Sequence, residues 1–273
     1  MMKKYGILAY PAGHSLSPVI YNAAFRAREI DAQYGVFEVA PKDLADFMDR
    51  AENDPISGLS VSLPHKEAMI EFLSVVDDAA KKIGAVNTVV HKGSFLHGYN
   101  TDHIGCRRAL EEVCGELEGK NVVVLGAGGS ARAVIFGLKE AGCEVSVYNR
   151  TADKALALAE EFGVVGGSLY EAHQITEADI LIQTSAIWTL DPNISSDEIE
   201  KFIPDSFIEK FDTVMDIAYT PLKTPLIKKA ETMGKKVVTG DKMLLHQAVE
   251  QFKIWTGEDA PEEVMRKALE ENL

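Results

Sequence analysis

A glycine-rich segment between an apolar run and a helical pattern constrains the fold of this chain more than any other feature. It covers residues 126–131, with the sequence Gly-Ala-Gly-Gly-Ser-Ala. The apolar run 122–125 before it has the composition of a strand buried on both faces of a parallel sheet. A helical pattern over 131–141 and a second strand pattern over 144–148 follow. This order of elements predicts a Rossmann-type dinucleotide-binding unit.

Each part of the glycine-rich segment has a predicted task. Gly126 permits the tight turn, Gly128 lets the backbone approach a pyrophosphate, and Ala131 allows close packing of helix on strand. The free N–H groups at the start of the helix attract the phosphates. The segment is therefore predicted to bind the cofactor through Gly126, Ala127, Gly128, Gly129, Ser130 and Ala131. The alternative is a glycine-rich turn that binds nothing.

The residues after the second strand indicate which dinucleotide is bound. NAD-binding units usually carry an Asp or Glu there for the ribose 2′-hydroxyl. This chain has Asn149, Arg150 and Thr151 instead, with Lys154 one turn later. An arginine fork and a lysine suit a 2′-phosphate. The pattern favours NADP(H) over NAD, unless the two cations are simply solvated.

Strand and helix patterns alternate along both halves of the chain, which predicts an α/β fold with two domains. The substrate-binding domain is predicted over 1–103 and 239–273, and the Rossmann domain over 104–238. The C-terminal helices are expected to return to the first domain. Trp188 and Trp255 are expected in a core or an interface.

The composition limits the partners. The formal net charge is −14 and no basic block is present, which argues against nucleic acid or an anionic membrane as partner. No apolar run approaches the ~18 residues of a membrane span. Three cysteines without metal-type spacing predict reduced thiols, a cytoplasmic location and no metal. A small-molecule substrate is expected, for a monomer or a homodimer.

The first hundred residues supply candidates for acid–base chemistry beside a nicotinamide. Lys66 follows the strand pattern 58–63, and Asp102 follows the strand pattern 95–98. A lysine can protonate the oxygen that forms when a ketone accepts hydride, and an aspartate can hold that lysine. Spacing alone leaves open that the two are unrelated surface charges.

A series of short motifs resembles the shikimate dehydrogenase family in content and in order, over nearly the whole chain. The motifs occupy residues 14–18 (HSLSP), 60–66 (SVSLPHK), 84–88 (GAVNT), 100–102 (NTD), 149–151 (NRT), 219–221 (YTP) and 243–247 (MLLHQ).

The resemblance implies reversible reduction of 3-dehydroshikimate by NADPH, with Lys66 and Asp102 as the catalytic pair. It implies that the substrate carboxylate is bound by the hydroxyls of Ser15, Ser17 and Tyr219. It implies that the ring hydroxyls and the ketone are bound by Ser62, Asn87, Asp102 and Gln247. It also implies contacts of Gly240 and Met243 with the cofactor.

Several positions differ from the family's usual residues. Ser60 replaces an Asn, Ser62 replaces a Thr, and Tyr21 replaces a His. In the cofactor half, residues 182–185 read Ile-Gln-Thr-Ser in place of an Asn-Ala-Thr stretch, and 187–188 read Ile-Trp in place of Gly-Met.

Two alternatives to a strict shikimate dehydrogenase remain on sequence grounds. One is a dehydrogenase that prefers quinate or accepts both acids. Ser15 and Ser17 favour shikimate by the family resemblance, because quinate carries an extra hydroxyl beside its carboxylate. The other is a non-catalytic regulator on the same scaffold, which would be expected to lack Lys66 or Asp102.

Overall fold

The structure, a computed structural model, describes residues 2–13, 15–53, 56–185 and 203–273. The chain divides into two units. The first unit contains Met1–Asp102 and Leu245–Leu273, and the second contains His103–Leu244. The C-terminal segment therefore returns to the first unit, as predicted.

Eleven helices occur among the described residues. They are α1 (Ser17–Ala27), α2 (Leu44–Asn53), α3 (Asp78–Ile83), α4 (Asp102–Cys114), α5 (Gly129–Glu140), α6 (Ala152–Phe162), α7 (Leu169–Ala172), α8 (Asp205–Ile208), α9 (Pro225–Thr232), α10 (Gly240–Thr256) and α11 (Glu262–Glu270). Short 3-10 turns cover Pro41–Asp43 and Ala68–Phe72. In the first unit α11 packs against α1. None of the described helices combines the length and apolar character of a membrane span.

The first unit is built on a mixed six-stranded sheet. Its strands are β1 (Lys3–Ala9), β2 (Ala32–Glu38), β3 (Ile56–Val61), β4 (Val75–Val76), β5 (Thr88–Lys92) and β6 (Phe95–Tyr99). The spatial order is β2-β1-β3-β5-β6-β4. β1 lies parallel to β2 and β3, whereas β5 runs antiparallel to β3 and β6. β5 and β6 thus form an antiparallel hairpin.

The second unit contains a six-stranded sheet whose neighbouring strands are all parallel. Its strands are β7 (Asn121–Leu125), β8 (Glu144–Asn149), β9 (Val165–Ser168), β10 (Ile180–Gln183), β11 (Thr213–Asp216) and β12 (Lys236–Val238). The spatial order is β12-β11-β10-β7-β8-β9. Read by position along the chain, this is the doubly wound order of dinucleotide-binding sheets. The predicted Rossmann architecture is confirmed.

Strand β7 is buried on both faces, as its apolar sequence predicts. Val122 and Val124 belong to one apolar cluster, with Val134 of α5. Val123 and Leu125 belong to another. Because successive side chains of a strand point to opposite faces, a central parallel strand covered by helices needs apolar residues at every position.

Trp255 lies in the aromatic core of the first unit, one of the two locations expected for it. Its ring centroid lies 5.0 Å from that of Tyr5, 4.9 Å from that of Tyr21 and 6.0 Å from that of Tyr34. Its indole Nε1 donates to the carbonyl oxygen of Val89 in β5 at 2.9 Å. Trp188 lies outside the described residues.

The three cysteines are free thiols, and they should differ in reactivity. Burial raises the pKa of the Cys143 thiol to about 11, and its Sγ donates to the Leu117 carbonyl at 3.2 Å. Cys106 is also buried, whereas Cys114 is partly exposed. At about pH 8, near the ordinary thiol pKa, we expect a thiol reagent to modify Cys114 first in the native protein. Peptide mass spectrometry against time measures this order; equal labelling of Cys143 would contradict it.

Candidate active site

Lys66 and Asp102 form an ion pair in the first unit. The Lys66 Nζ lies 2.6 Å from the Asp102 Oδ2, and the two side chains are 14% and 1% exposed. The backbone of Lys66 is fixed as well, since its carbonyl accepts from the Val86 N–H at 2.8 Å. In such a pair removal of one partner leaves a buried charge without compensation, which is strongly unfavourable.

The Asp102 carboxylate is held on its other side by an amide. Its Oδ1 accepts from the Asn87 Nδ2 at 2.8 Å. Its backbone N–H donates to the Asn100 Oδ1 at 3.0 Å, and the Asn100 Nδ2 donates to the Ala85 carbonyl at 2.9 Å. Asp102 is also the first residue of α4, where the helix dipole favours a negative charge. Both carboxylate oxygens are therefore directed by fixed partners.

Asn87 is the centre of this arrangement. Its Nδ2 lies 3.0 Å from both the Gln247 Oε1 and the Thr101 Oγ1, which share the N–H that does not bond Asp102. Its Oδ1 accepts from the Thr101 N–H at 2.8 Å and from the Thr88 hydroxyl at 2.6 Å. A buried amide with all its polar atoms bonded has one orientation. The structure thus joins four of the predicted site residues, Lys66, Asn87, Asp102 and Gln247, into one network.

The predicted serines follow β1 and β3, and Ser17 is the first residue of α1. Ser15 and Ser17 lie after β1, and the Ser15 Oγ accepts from the Ser17 N–H at 3.3 Å. Ser62 directly follows β3, with its N–H on the Leu8 carbonyl at 2.9 Å. Neighbouring parallel strands have their carboxyl ends at one edge, where α/β proteins bind ligands. Tyr219 belongs to the second unit, where it follows β11 and is half-buried; its role stays a prediction.

His65, next to Lys66 in sequence, contributes to the fold of this loop. It is 1% exposed, and its Nε2 lies 2.7 Å from the Val39 carbonyl oxygen. A ring nitrogen at that distance from a carbonyl carries the proton and donates it. His65 therefore holds the Lys66 loop against the chain segment after β2.

The glycine-rich turn of the second unit has the geometry that a pyrophosphate needs. Gly126 has φ +116°, and a Cβ there would lie 2.5 Å from the Thr184 Oγ1. A Cβ at Gly128, by contrast, would meet no atom within 4 Å. Gly128 precedes α5, which has no side-chain N-cap, so its first N–H groups are available to an anion. Ala131 is fully buried, as close helix packing requires.

The residues after β8 also fit NADP(H). Arg150, Thr151 and Lys154 are exposed, and the Asn149 Nδ2 donates to the Thr151 carbonyl at 3.1 Å. Neither Arg150 nor Lys154 has an ion-pair partner within the described parts of the chain. Two cations beside the glycine turn offer a 2′-phosphate the charge that an NAD site lacks.

Two further predicted cofactor residues lie at the start of α10. A Cβ on Gly240 would lie 2.3 Å from the Ile217 carbonyl oxygen and 2.6 Å from that of Ala218. Gly240 is therefore required by close backbone packing inside the second unit. Met243 is 5% exposed and belongs to the apolar cluster of that unit. Contacts of both residues with a cofactor stay predictions.

The close approach at Gly240 predicts a loss of stability on substitution. Gly240→Ala forces the backbone apart, and we expect it to lower the free energy of unfolding by roughly 1–3 kcal/mol. Gly35→Ala in β2 is the matched control, because a Cβ there meets no atom within 4 Å. Urea denaturation of both variants measures the effect. Equal stability of the two would show that Gly240 is not sterically required.

Several residues of the site were not identified from sequence. Thr88 and Thr101 hold the Asn87 amide, and Asn100 holds the start of α4. All three residues lie in the motifs 84–88 and 100–102, but only pairing of β5 with β6 brings those motifs together.

Among the positions that differ from the family's usual residues, Ile187 and Trp188 lie outside the described residues. Thr184 is described and bonds the Leu125 carbonyl at 2.8 Å.

Comparison with known proteins matches most of the chain to one family. Residues 7–89 match the description "Shikimate dehydrogenase substrate binding domain". Residues 108–232 match "Shikimate / quinate 5-dehydrogenase", and 242–270 match "Shikimate 5'-dehydrogenase C-terminal domain".

Individual relatives agree with these matches. Shikimate dehydrogenase (NADP(+)) of Thermococcus kodakarensis is 42% identical over 272 residues, 98% of this chain and 96% of that protein. The enzyme of the same name from Pyrococcus abyssi is 41% identical over 273 residues, covering 100% and 99% of the two chains. The crystal structure of shikimate 5-dehydrogenase from Thermus thermophilus in complex with NADP(H) and shikimate has a TM-score of 0.86, with 35% identity and complete coverage of both chains.

Proposed function

This chain belongs to the shikimate dehydrogenase family, and we propose that it catalyses the reversible NADPH-dependent reduction of 3-dehydroshikimate to shikimate. The observation that carries the proposal is the Lys66–Asp102 pair at 2.6 Å, with Asn87 and Gln247 bonded around it. A lone buried ion pair is a structural feature in many proteins. An ion pair surrounded by amides, at the positions that the family motifs define, supports catalysis.

Bound NADPH supplies the hydride that the ketone carbon accepts. The residues of the chain transfer the proton and hold the substrate in position. Lys66 donates a proton from its ammonium group to the oxygen that becomes the alcohol, and solvent restores that proton. Asp102 keeps the ammonium in place. In the reverse direction the neutral Lys66 amine accepts the proton of the shikimate hydroxyl.

The remaining polar groups bind the substrate. Ser15 and Ser17 hold the carboxylate through hydroxyls, and Tyr219 is a further donor to it. Ser62, Asn87 and Gln247 bind the ring hydroxyls. A site built from so many neutral donors and acceptors rejects analogues that lack a hydroxyl, because its own polar groups would then lose their partners.

The cofactor-binding role of the second unit rests on its glycine turn and its exposed cations. Residues 126–131 hold the pyrophosphate, with Gly128 leaving the space for it. Asn149, Arg150, Thr151 and Lys154 hold the adenosine 2′-phosphate. Gly240 and Met243 complete the set of residues that bind the cofactor. Three free thiols, two of them buried, support a location in the reducing cytoplasm.

The direct test is reduction of NADP⁺ by shikimate, followed through the absorbance of the reduced nicotinamide. Quinate and NAD⁺ replace shikimate and NADP⁺ in parallel reactions. We expect turnover with shikimate and NADP⁺, and little with either replacement. Equal turnover of quinate would identify a quinate/shikimate dehydrogenase. No turnover with any pair, from protein that still binds NADPH, would identify a non-catalytic binding protein.

A further inference from the structure

Four buried polar side chains form a hydrogen-bonded cluster in the first unit that none of the proposed catalytic roles uses. We name Tyr21, Tyr34, Ser60 and Gln251 the hydroxyl cluster; their exposed fractions lie between 1% and 6%. The Tyr34 hydroxyl donates to the Ser60 Oγ at 2.7 Å, and Ser60 donates to the Gln251 Oε1 at 2.7 Å. Tyr21 donates to the same Gln251 oxygen. Tyr21 and Ser60 therefore meet at the oxygen of the Gln251 amide, and Tyr34 is joined to it through Ser60.

The contacts of the Gln251 amide give the direction of the bonds in the hydroxyl cluster. Burial raises the pKa of Tyr21 well above its ordinary value, and the nearby Tyr34 adds to this effect, so Tyr21 remains a donor. Ser60 uses its single proton on Gln251 and accepts from Tyr34. The Gln251 oxygen thus receives two donors, which directs the Nε2 of the amide away from them. This Nε2 donates to the Asn87 carbonyl oxygen at 3.0 Å.

The bond to Asn87 connects the cluster to the active site. Asn87 bonds both Asp102 and Gln247 through its side chain, while its backbone carbonyl receives Gln251 and the Val61 N–H. Gln247 and Gln251 lie four residues apart on α10, hence on one face of the helix. One turn of α10 therefore contacts Asn87 at two points, its side chain and its backbone.

We propose that Gln251 is a positioning residue: it fixes the backbone of Asn87, and through Asn87 it places Asp102 and the Gln247 amide for the substrate. This inference rests on the proposed function. Ser60 and Tyr21, two of the positions where this chain differs from its family's usual residues, meet at the oxygen of this same amide and fix its orientation. Ser60 and Tyr21 act together, because each donates one of the two hydrogen bonds to the Gln251 oxygen.

The test compares two variants on α10. Gln251→Met preserves volume and removes the bond to Asn87. Thr256→Val also preserves volume, and it removes the bond that the Thr256 Oγ1 donates to the Phe252 carbonyl at 2.8 Å at the end of the same helix. Neither of these two residues belongs to the hydroxyl cluster. For Gln251→Met we expect kcat/KM for shikimate to fall roughly tenfold, well below the effect of a 1 Å misplacement. We expect an unchanged KM for NADP⁺, and wild-type kinetics for Thr256→Val.

Tyr21→Phe supplies a second, milder test that does not depend on folding of the methionine variant. It removes one donor to the Gln251 oxygen, and we expect a roughly threefold loss in kcat/KM. In the Gln251→Met background the same change should cost nothing further, because its target is gone. Full additivity of the two losses, or wild-type kinetics in Gln251→Met, would overturn the proposal.

A readout without turnover separates this proposal from the proposed function. The side-chain Nδ2H₂ signals of Asn87 in a ¹⁵N-labelled sample should shift in Gln251→Met and stay in place in Thr256→Val. If wild-type protein shows no turnover, the proposed function fails, while the Asn87 signals still report on positioning. Unchanged Asn87 signals in Gln251→Met would overturn the positioning role, whatever the activity.

Discussion

Replacement of Lys66 by alanine should lower kcat for shikimate oxidation by about 10²–10⁴-fold, the usual loss when a general acid/base is removed. The Lys66 ammonium is the cation paired with Asp102 at 2.6 Å, and the reaction needs a group that gives and takes a proton at the substrate oxygen. Steady-state kinetics with saturating NADP⁺ measures the loss. Binding of NADPH should be unchanged.

Two controls separate proton transfer from damage to the fold. Lys81→Ala removes an exposed lysine whose ion pair with Asp78 on α3 lies at 3.4 Å, and it should leave kcat unchanged. Addition of a small primary amine to Lys66→Ala should restore part of the activity, because the amine replaces the missing proton carrier. Near-wild-type turnover of Lys66→Ala would refute the catalytic role of this residue.

Arg150→Ala should change the choice between the two nucleotides. We expect the Kd for NADPH to rise roughly 10- to 100-fold, as loss of charge-assisted hydrogen bonds to a phosphate implies, and the Kd for NADH to change little. Lys154→Ala should have the same direction and a smaller effect, since lysine offers a point charge instead of a planar fork. Fluorescence titration with both nucleotides measures the ratio.

The general effect of charge needs its own control, because the chain carries a net charge of −14. Arg28→Ala removes an equally exposed arginine at the end of α1, in the first unit. It should leave both dissociation constants unchanged. If Arg150→Ala weakens NADPH and NADH equally, Arg150 does not recognise the 2′-phosphate.

The sequence predicts the parts of the fold that depend on local pattern. Strand β7 and helix α5 were predicted closely, because an unbroken apolar run and a helical period are visible without neighbours. Strand β9 was missed, since its four residues include two glycines and no strong strand former follows Val165. The two-residue β4 is too short for any period, and only pairing with β6 defines it.

The site was predicted as a set of residues, not as a set of contacts. The motif order indicated Lys66, Asn87, Asp102 and Gln247, but which amide faces which oxygen depends on residues up to 160 positions apart. The sequence did not indicate which groups take over the role of the Asn amide that is absent at position 60. In the structure the Ser60 hydroxyl bonds both Tyr34 and Gln251, because a tyrosine reaches it from β2 and a glutamine reaches it from α10.

Helix α10 links these observations to the way such a chain can vary in length. The helix begins at Gly240, whose backbone lies against Ile217, and it presents Gln247 and Gln251 to Asn87 further along. Each residue advances a helix by about 100°. One residue gained or lost between Gln247 and Gln251 would therefore rotate one of the two glutamines off Asn87. Insertions in this family should therefore be tolerated in surface loops, whereas the number of residues between Gln247 and Gln251 in α10 should not change.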